Sequence, residues 1–142
     1  MERDEYGMTE TVHFELVSPE RLLMSVEANG VVVPGTEGDF MVLPKHSPMM
    51  STIRPGVVSV DEADKSEATR IYIRGGFAEV TPKGLVILAE QAIFVADLSK
   101  SDLEQHITDA KEDLEDAKTS DEAHMAEQTI AQLTELLDAV KG

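Results

Sequence analysis

The sequence predicts an all-β sandwich of about ten strands followed by an antiparallel two-helix hairpin, α+β overall. Three observations carry that reading. Short runs rich in Val, Ile and Leu, bounded by turn residues, fill the chain as far as Leu98. After Ser99 the spacing of apolar residues changes to alternating steps of three and four, the period of one helical face. No Gly or Pro interrupts either of the two helical stretches that result. The expected division is a sandwich domain over 1–98 and a hairpin over 99–142.

The strand-like runs are 12–17, 22–26, 29–33, 40–43, 49–53, 57–60, 70–74, 77–81, 85–89 and 93–96. Pro34-Gly35, Pro44, Pro55-Gly56, Gly75-Gly76 and Pro82-Lys83-Gly84 punctuate them. Ile71 and Ile73 alternate with Arg70, Tyr72 and Arg74, as in a half-buried strand. The polar stretch 61–68 reads as an exposed hairpin loop, and Met49 and Met50 as strand core.

In the second part, Leu103, Ile107, Ala110, Leu114 and Ala117 form one apolar stripe. Ala123, Ala126, Ile130, Leu133, Leu137 and Val140 form another. Ser101 with Glu104, and Thr119 with Glu122, have capping-box spacing. The short connection at Thr119-Ser120-Asp121 makes the helices antiparallel neighbours. Both stripes are narrow and rich in alanine, so the hairpin must lean on another surface, its own sandwich or a partner.

Composition excludes several classes. The net charge of −16 over 142 residues repels nucleic acid and anionic lipid, and suits basic or neutral partners. The chain has no cysteine, which removes disulfides, thiolate nucleophiles and cysteine–zinc sites. No apolar run approaches the roughly 20 residues of a membrane span. The acidic start Met1-Glu2-Arg3-Asp4-Glu5 does not resemble a signal or transit peptide.

No constellation points to catalysis. His13, His46, His106 and His124 lack the spacing of a helical metal site. No serine sits in a nucleophile elbow, and Gly75-Gly76 lacks the Gly-Lys-Ser/Thr ending of a phosphate loop. Asp61, Glu62 and Asp64 lack the glycine and terminal glutamate of a calcium loop. No catalytic residue, cofactor or metal is expected, and the abundant carboxylates read as solvated faces.

The specific signal is an ordered set of motifs. Pro34-Gly35-Thr36-Glu37-Gly38-Asp39-Phe40, then Leu43-Pro44-Lys45-His46-Ser47-Pro48 and Pro55-Gly56, resemble the signature of the epsilon-subunit family of bacterial F-type ATP synthases. Val17-Ser18-Pro19-Glu20, Arg74-Gly75-Gly76-Phe77-Ala78-Glu79-Val80 and Leu88-Ala89-Glu90 match further family segments in order. The likeness is close from Val12 to Leu98. Over the hairpin it rests on length, position and the alanine-rich seam.

This resemblance implies a non-catalytic rotor subunit at the foot of the central stalk, bound to the gamma subunit and the c ring. Proton-driven rotation would pass through it to ATP synthesis. It would lie on the cytoplasmic face of the bacterial inner membrane, peripheral and without inserting. The resemblance assigns Thr36, Glu37, Gly38 and Asp39 to the c ring, and His46, Ser47, Gly75 and Gly76 to gamma. Met41 and Lys45 depart from it, standing where the family usually has glycine.

In some relatives the hairpin extends along gamma toward the alpha and beta catalytic subunits and blocks rotation, aided by basic side chains. Here residues 99–142 carry four lysines against twelve carboxylates, net −8. Inhibition is therefore expected to be weak. Some relatives also bind ATP through Ile/Leu-Asp-x-x-Arg-Ala. Here Asp102 remains but Gln105 replaces the arginine, so tight nucleotide binding is not expected. The competing reading is a stand-alone β-sandwich ligand-binding module with a helical lid.

Overall fold

The computed structural model describes residues 10–141, with side-chain environments as far as Asp138. Nine strands come first: β1 (Val12–Val17), β2 (Leu22–Gly35), β3 (Gly38–Val42), β4 (Met49–Ile53), β5 (Gly56–Glu62), β6 (Thr69–Ile73), β7 (Gly76–Thr81), β8 (Gly84–Ala89) and β9 (Ala92–Phe94). A 3₁₀ turn, Val95–Asp97, leads to α1 (Lys100–Asp116) and α2 (Ser120–Lys141). The sandwich and hairpin expected from the sequence are both present.

Alternation sets the sandwich. Val12, Phe14 and Leu16 of β1 point inward and are at most 7% exposed, while the residues between them are part-exposed. They meet Val31, Val33, Val58, Val60, Ile71, Ile73, Leu85 and Ile87 in one closed core. β1 pairs with both β2 and β8, β8 with β7, β7 with β4, and β4 returns to β2 through Gly35 and Ile53. The far half of β2 pairs with β3 and β5, and β5 continues to β6 and β9. β2 therefore belongs to both faces of the sandwich.

That sharing corrects the strand count. Runs 22–26 and 29–33 are one strand of 14 residues, not two. The polar residues Glu27 and Asn29 mark a register irregularity between Ala28 and Gly30, where the strand changes partner, rather than a turn. The last run is shorter than its apolar content suggests, because the backbone tightens into the 3₁₀ turn after Phe94.

The hairpin folds back onto its own sandwich. Val57, Tyr72, Val95 and Leu98 of the β body form a second core with Leu103, Ile107, Ala110, Leu133 and Leu136 of the helices. Leu103 and Leu133 are fully buried, which together contributes about 3–6 kcal/mol relative to exposure. Tyr72 is thus covered rather than half-buried as its alternation suggests. Two polar contacts fix the seam: Thr129 Oγ1 donates to Pro55 O at 2.7 Å, and Val57 N donates to Gln132 Oε1 at 3.0 Å.

Those contacts turn the buried face of α2. Ala126, Thr129, Leu133 and Leu136 are buried, while Ile130 and Leu137 of the predicted stripe are only partly so. Val140 lies outside the residues whose side chains are described. The first cap also differs: Ser99 with Asp102, not Ser101 with Glu104, forms the reciprocal capping box of α1. Thr119 does cap α2, accepting from Glu122 N at 3.0 Å. In the 61–68 stretch Glu62 is an exception to exposure, 5% exposed and bound to Thr69 and Lys65.

Candidate interaction site

Thr36 and Glu37 form the turn between β2 and β3, closed by the pairing of Gly35 with Gly38. Gly38 has φ +130°, and a Cβ on Gly35 would lie 2.7 Å from Gly38 O, so both positions require glycine. Thr36 N donates to Thr52 O at 3.1 Å, and the Thr36 and Thr52 hydroxyls are 2.7 Å apart. The turn is therefore stitched to the end of β4.

Arg54, which carries no signal in the sequence, holds the same turn from below. Its side chain is 4% exposed; Nη2 lies 2.8 Å from Asp39 Oδ1, and Nη1 donates to Gly35 O at 3.2 Å. Asp39 is thus a tethered carboxylate rather than a free one. Glu37 at the tip is exposed and makes no ion pair among the described residues. Such a free carboxylate on a rigid turn accepts charge-assisted hydrogen bonds. Open grooves of about 490 and 520 Å³ flank the turn, one toward Met49 and Met50, the other toward Asp121 and His124 of α2.

The other predicted contacts lie in two places. Gly76 pairs with Ile53, which pairs with Gly35, so Gly75-Gly76 adjoins the turn. His46 and Ser47 precede Met49, at the opposite end of β4, about 14 Å away at 3.4 Å per residue. His46 Nδ1 donates to Ser47 O at 2.8 Å. Gly75 and Gly76 have φ +86° and +142°, and a Cβ on Gly76 would fall 2.1 Å from Leu88 O. They make the tight β6–β7 bend possible. Lys45 also has positive φ, +67°, so the left-handed position survives without its glycine, whereas Met41 lies in an ordinary strand.

One further surface has no counterpart in the sequence pattern. Phe77 pairs with Leu88, Leu88 with Val17, and Val17 with Leu22. Phe77, Leu88 and Leu22 are 50–54% exposed, an apolar row crossing four strands on the outside of the sandwich. Met50, at 68% exposed, stands two residues from Thr52 on the same face of β4 and is not core. Only the strand partners reveal this row, since its members are far apart in sequence.

A rigid acidic turn, an exposed apolar row and a docked hairpin define a protein that works by binding others. Residues 11–95 match the family described as ATP synthase, Delta/Epsilon chain, beta-sandwich domain, and residues 99–142 match the C-terminal domain of the ATP synthase epsilon chain. A Maricaulis maris protein named ATP synthase epsilon chain is 51% identical over 124 residues, 87% of this chain and 92% of that one. A Mesorhizobium japonicum protein of the same name is 47% identical, over 94% of this chain and 98% of that one.

The fold is also that of a chain in the Euglena gracilis mitochondrial ATP synthase, with TM-score 0.67 and 19% identity over 93% of this chain and 82% of that one. A chain of the Tetrahymena thermophila enzyme's central stalk and c ring matches with TM-score 0.59 and 12% identity, over 88% of this chain and 95% of that one. The protein belongs to the family of ATP synthase epsilon chains. It is a non-catalytic subunit of that membrane-associated complex, and the stand-alone lid module is set aside. No helix among the described residues is long and apolar enough to cross a membrane.

Proposed function

We propose that this protein is the rotor element of its synthase that binds gamma through the β body and the c ring through the turn Thr36–Asp39. It thereby carries proton-driven rotation toward the catalytic head from the cytoplasmic side of a bacterial inner membrane. The observation that carries the gamma reading is the apolar row Leu22–Val17–Leu88–Phe77, an unusual exposure for a protein this charged. Gly75 and Gly76 border it, and His46 and Ser47 precede the neighbouring β4, at the end away from the Gly76–Ile53 pair. Glu37 is the group best placed to meet basic or amide groups on c-ring loops, with Arg54 holding the turn to a fixed shape.

In this reading residues 1–98 are the torque-bearing body and 99–142 an appendage of net charge −8, without the surplus of basic side chains that aids the block in some relatives. Its inhibition of hydrolysis is weak. Nucleotide binding is weak as well: Asp102 is engaged by the Ser99 cap, and Gln105 donates to Asp109 at 2.9 Å. The test is disulfide cross-linking in the assembled synthase, from Glu37→Cys to c-ring loops and from Leu88→Cys to gamma. Both cross-links are expected. Failure of the first removes the c-ring contact, and failure of the second removes the apolar row as the gamma face.

A further inference from the structure

A cavity of about 240 Å³ lies where the hairpin rests on the sandwich, apart from the turn and the apolar row. Tyr72 lines it. This residue is only 3% exposed overall. The His106 ring, also lining the cavity, stands 4.9 Å from the Tyr72 ring, and its Nδ1 is buried without a partner. Burial pushes the Tyr72 phenol up, opposed by the Arg74 charge and aided by those of Asp109 and Asp113, so it stays a neutral hydroxyl. A buried polar atom left unpaired is costly; an occupant that bonds to His106 Nδ1 removes that cost, and the Tyr72 hydroxyl offers it a second contact.

The rim decides the charge of the occupant. Asp109, Asp113 and Asp116 of α1 and Glu122 of α2 face the cavity, against the single guanidinium of Arg74. That potential rejects phosphates and carboxylates and concentrates cations. Pro55, Ala110, Met125 and Ala126 supply apolar wall, which suits an aliphatic stem better than a bare ion. No group of three metal-ligating side chains occurs among the described residues, which disfavours a metal. The volume falls below the roughly 300–1,000 Å³ of drug-sized sites, so the occupant is small.

We propose that this cavity binds a small organic cation of the aliphatic amine class. Its ammonium group sits among Asp109, Asp113 and Glu122, and its stem lies along Ala110 and Met125. The Tyr72 oxygen and an unprotonated His106 nitrogen both accept hydrogen bonds from N–H groups. Because the walls come from the sandwich and from both helices, only the docked hairpin forms the site. The ligand therefore holds the hairpin in place by mass action.

The test titrates the full-length protein with 1,4-diaminobutane, following NMR shifts and protection of the hairpin from proteolysis. The expected result is a saturable response confined to residues around Tyr72, His106 and Met125, with slower cleavage in α1 and α2. The double variant Asp109→Asn, Asp113→Asn should weaken binding about tenfold, as charge-assisted bonds become neutral ones. Tyr72→Phe, which keeps the ring in the second core, should weaken it several-fold. The control Asp61→Asn, Asp64→Asn, at the end of β5 and in the loop after it, should leave it unchanged. Shifts spread over the acidic surface, or equal losses in both double variants, would show diffuse counter-ion attraction and overturn the proposal. So would the absence of any saturable response.

Discussion

Arg54 and Asp39 form an ion pair whose two ends sit in different solvents, and that asymmetry has a measurable consequence. The guanidinium is 4% exposed, the carboxylate 51%, at an Nη2–Oδ1 distance of 2.8 Å. Asp39→Ala strands a buried cation whose remaining partner is the neutral Gly35 carbonyl, with Nε already unpaired. Arg54→Met instead leaves an exposed carboxylate that water solvates, and fills the buried space with apolar atoms. Breaking a fully buried pair costs about 3–5 kcal/mol and a surface pair about 0–1 kcal/mol. With one end in water, Asp39→Ala should cost about 2 kcal/mol and Arg54→Met about 1 kcal/mol or less. At a urea m-value of about 2 kcal/mol/M, the first shifts the unfolding midpoint by about 1 M and the second by about half that or less. The double variant should be more stable than Asp39→Ala alone. Urea unfolding of all four proteins, followed by far-UV circular dichroism, measures this. Equal costs, or a larger cost for Arg54→Met, would refute the claim that burial of the cation dominates.

Four further outcomes follow from the geometry. Gly76→Ala should destabilise by about 3 kcal/mol or more, since its Cβ would sit 2.1 Å from the Leu88 carbonyl; thermal unfolding or loss of soluble protein reports it. Lys45→Gly should stabilise by up to about 1 kcal/mol by relieving a left-handed lysine, as its ion pair with Glu10 is solvent-exposed and contributes little; a raised urea midpoint checks it. Thr129→Val keeps the shape but loses the bond to Pro55 O, so it should cost about 1–2 kcal/mol and raise proteolysis within α2 before the sandwich. His13, 2.6 Å from Glu27 and 3.1 Å from Glu15, is raised by those hydrogen bonds, while Glu27 is lowered by its bonds to Thr11 and His13. The His13 contribution is full below its unfolded pKa and is lost as pH rises through the folded one; the Glu27 contribution is lost as pH falls. The cluster should thus stabilise most between roughly pH 4.5 and 6.5, by a few tenths of a kcal/mol given its exposure, and His13→Ala should flatten that profile in pH-dependent melts.

Most of the fold is readable from local pattern. Val12, Phe14 and Leu16 alternate, Leu103, Ile107 and Ala110 step by four and three, and each period belongs to one kind of element. The turn Thr36–Asp39 is readable too, because its glycines serve a backbone shape set by a few neighbouring residues. What escapes is everything paired at long range. Arg54 reads as an ordinary basic residue before Pro-Gly until Asp39 and Gly35 are brought over it. β2 reads as two strands because Glu27 and Asn29 look like turn residues, whereas they mark a change of strand partner. The α2 stripe reads slightly rotated because Thr129 looks like polar surface, whereas its hydroxyl bonds the carbonyl of Pro55; Ala126 and Leu133 are buried as read, Ile130 and Leu137 only partly.

By itself the order of residues determined the two periods, the punctuation between strands, the alanine-rich seam and the surplus of negative charge. These follow from the chemistry of side groups acting over a few residues, and no tertiary contact is needed to read them. Only the tertiary structure decided that the hairpin lies on its own sandwich, that Leu22, Val17, Leu88 and Phe77 align in one apolar row, and that Tyr72 faces an acid-rimmed cavity. Each of those depends on strand register and on which helix face turns inward, and a shift of one residue would send every group involved to the other side.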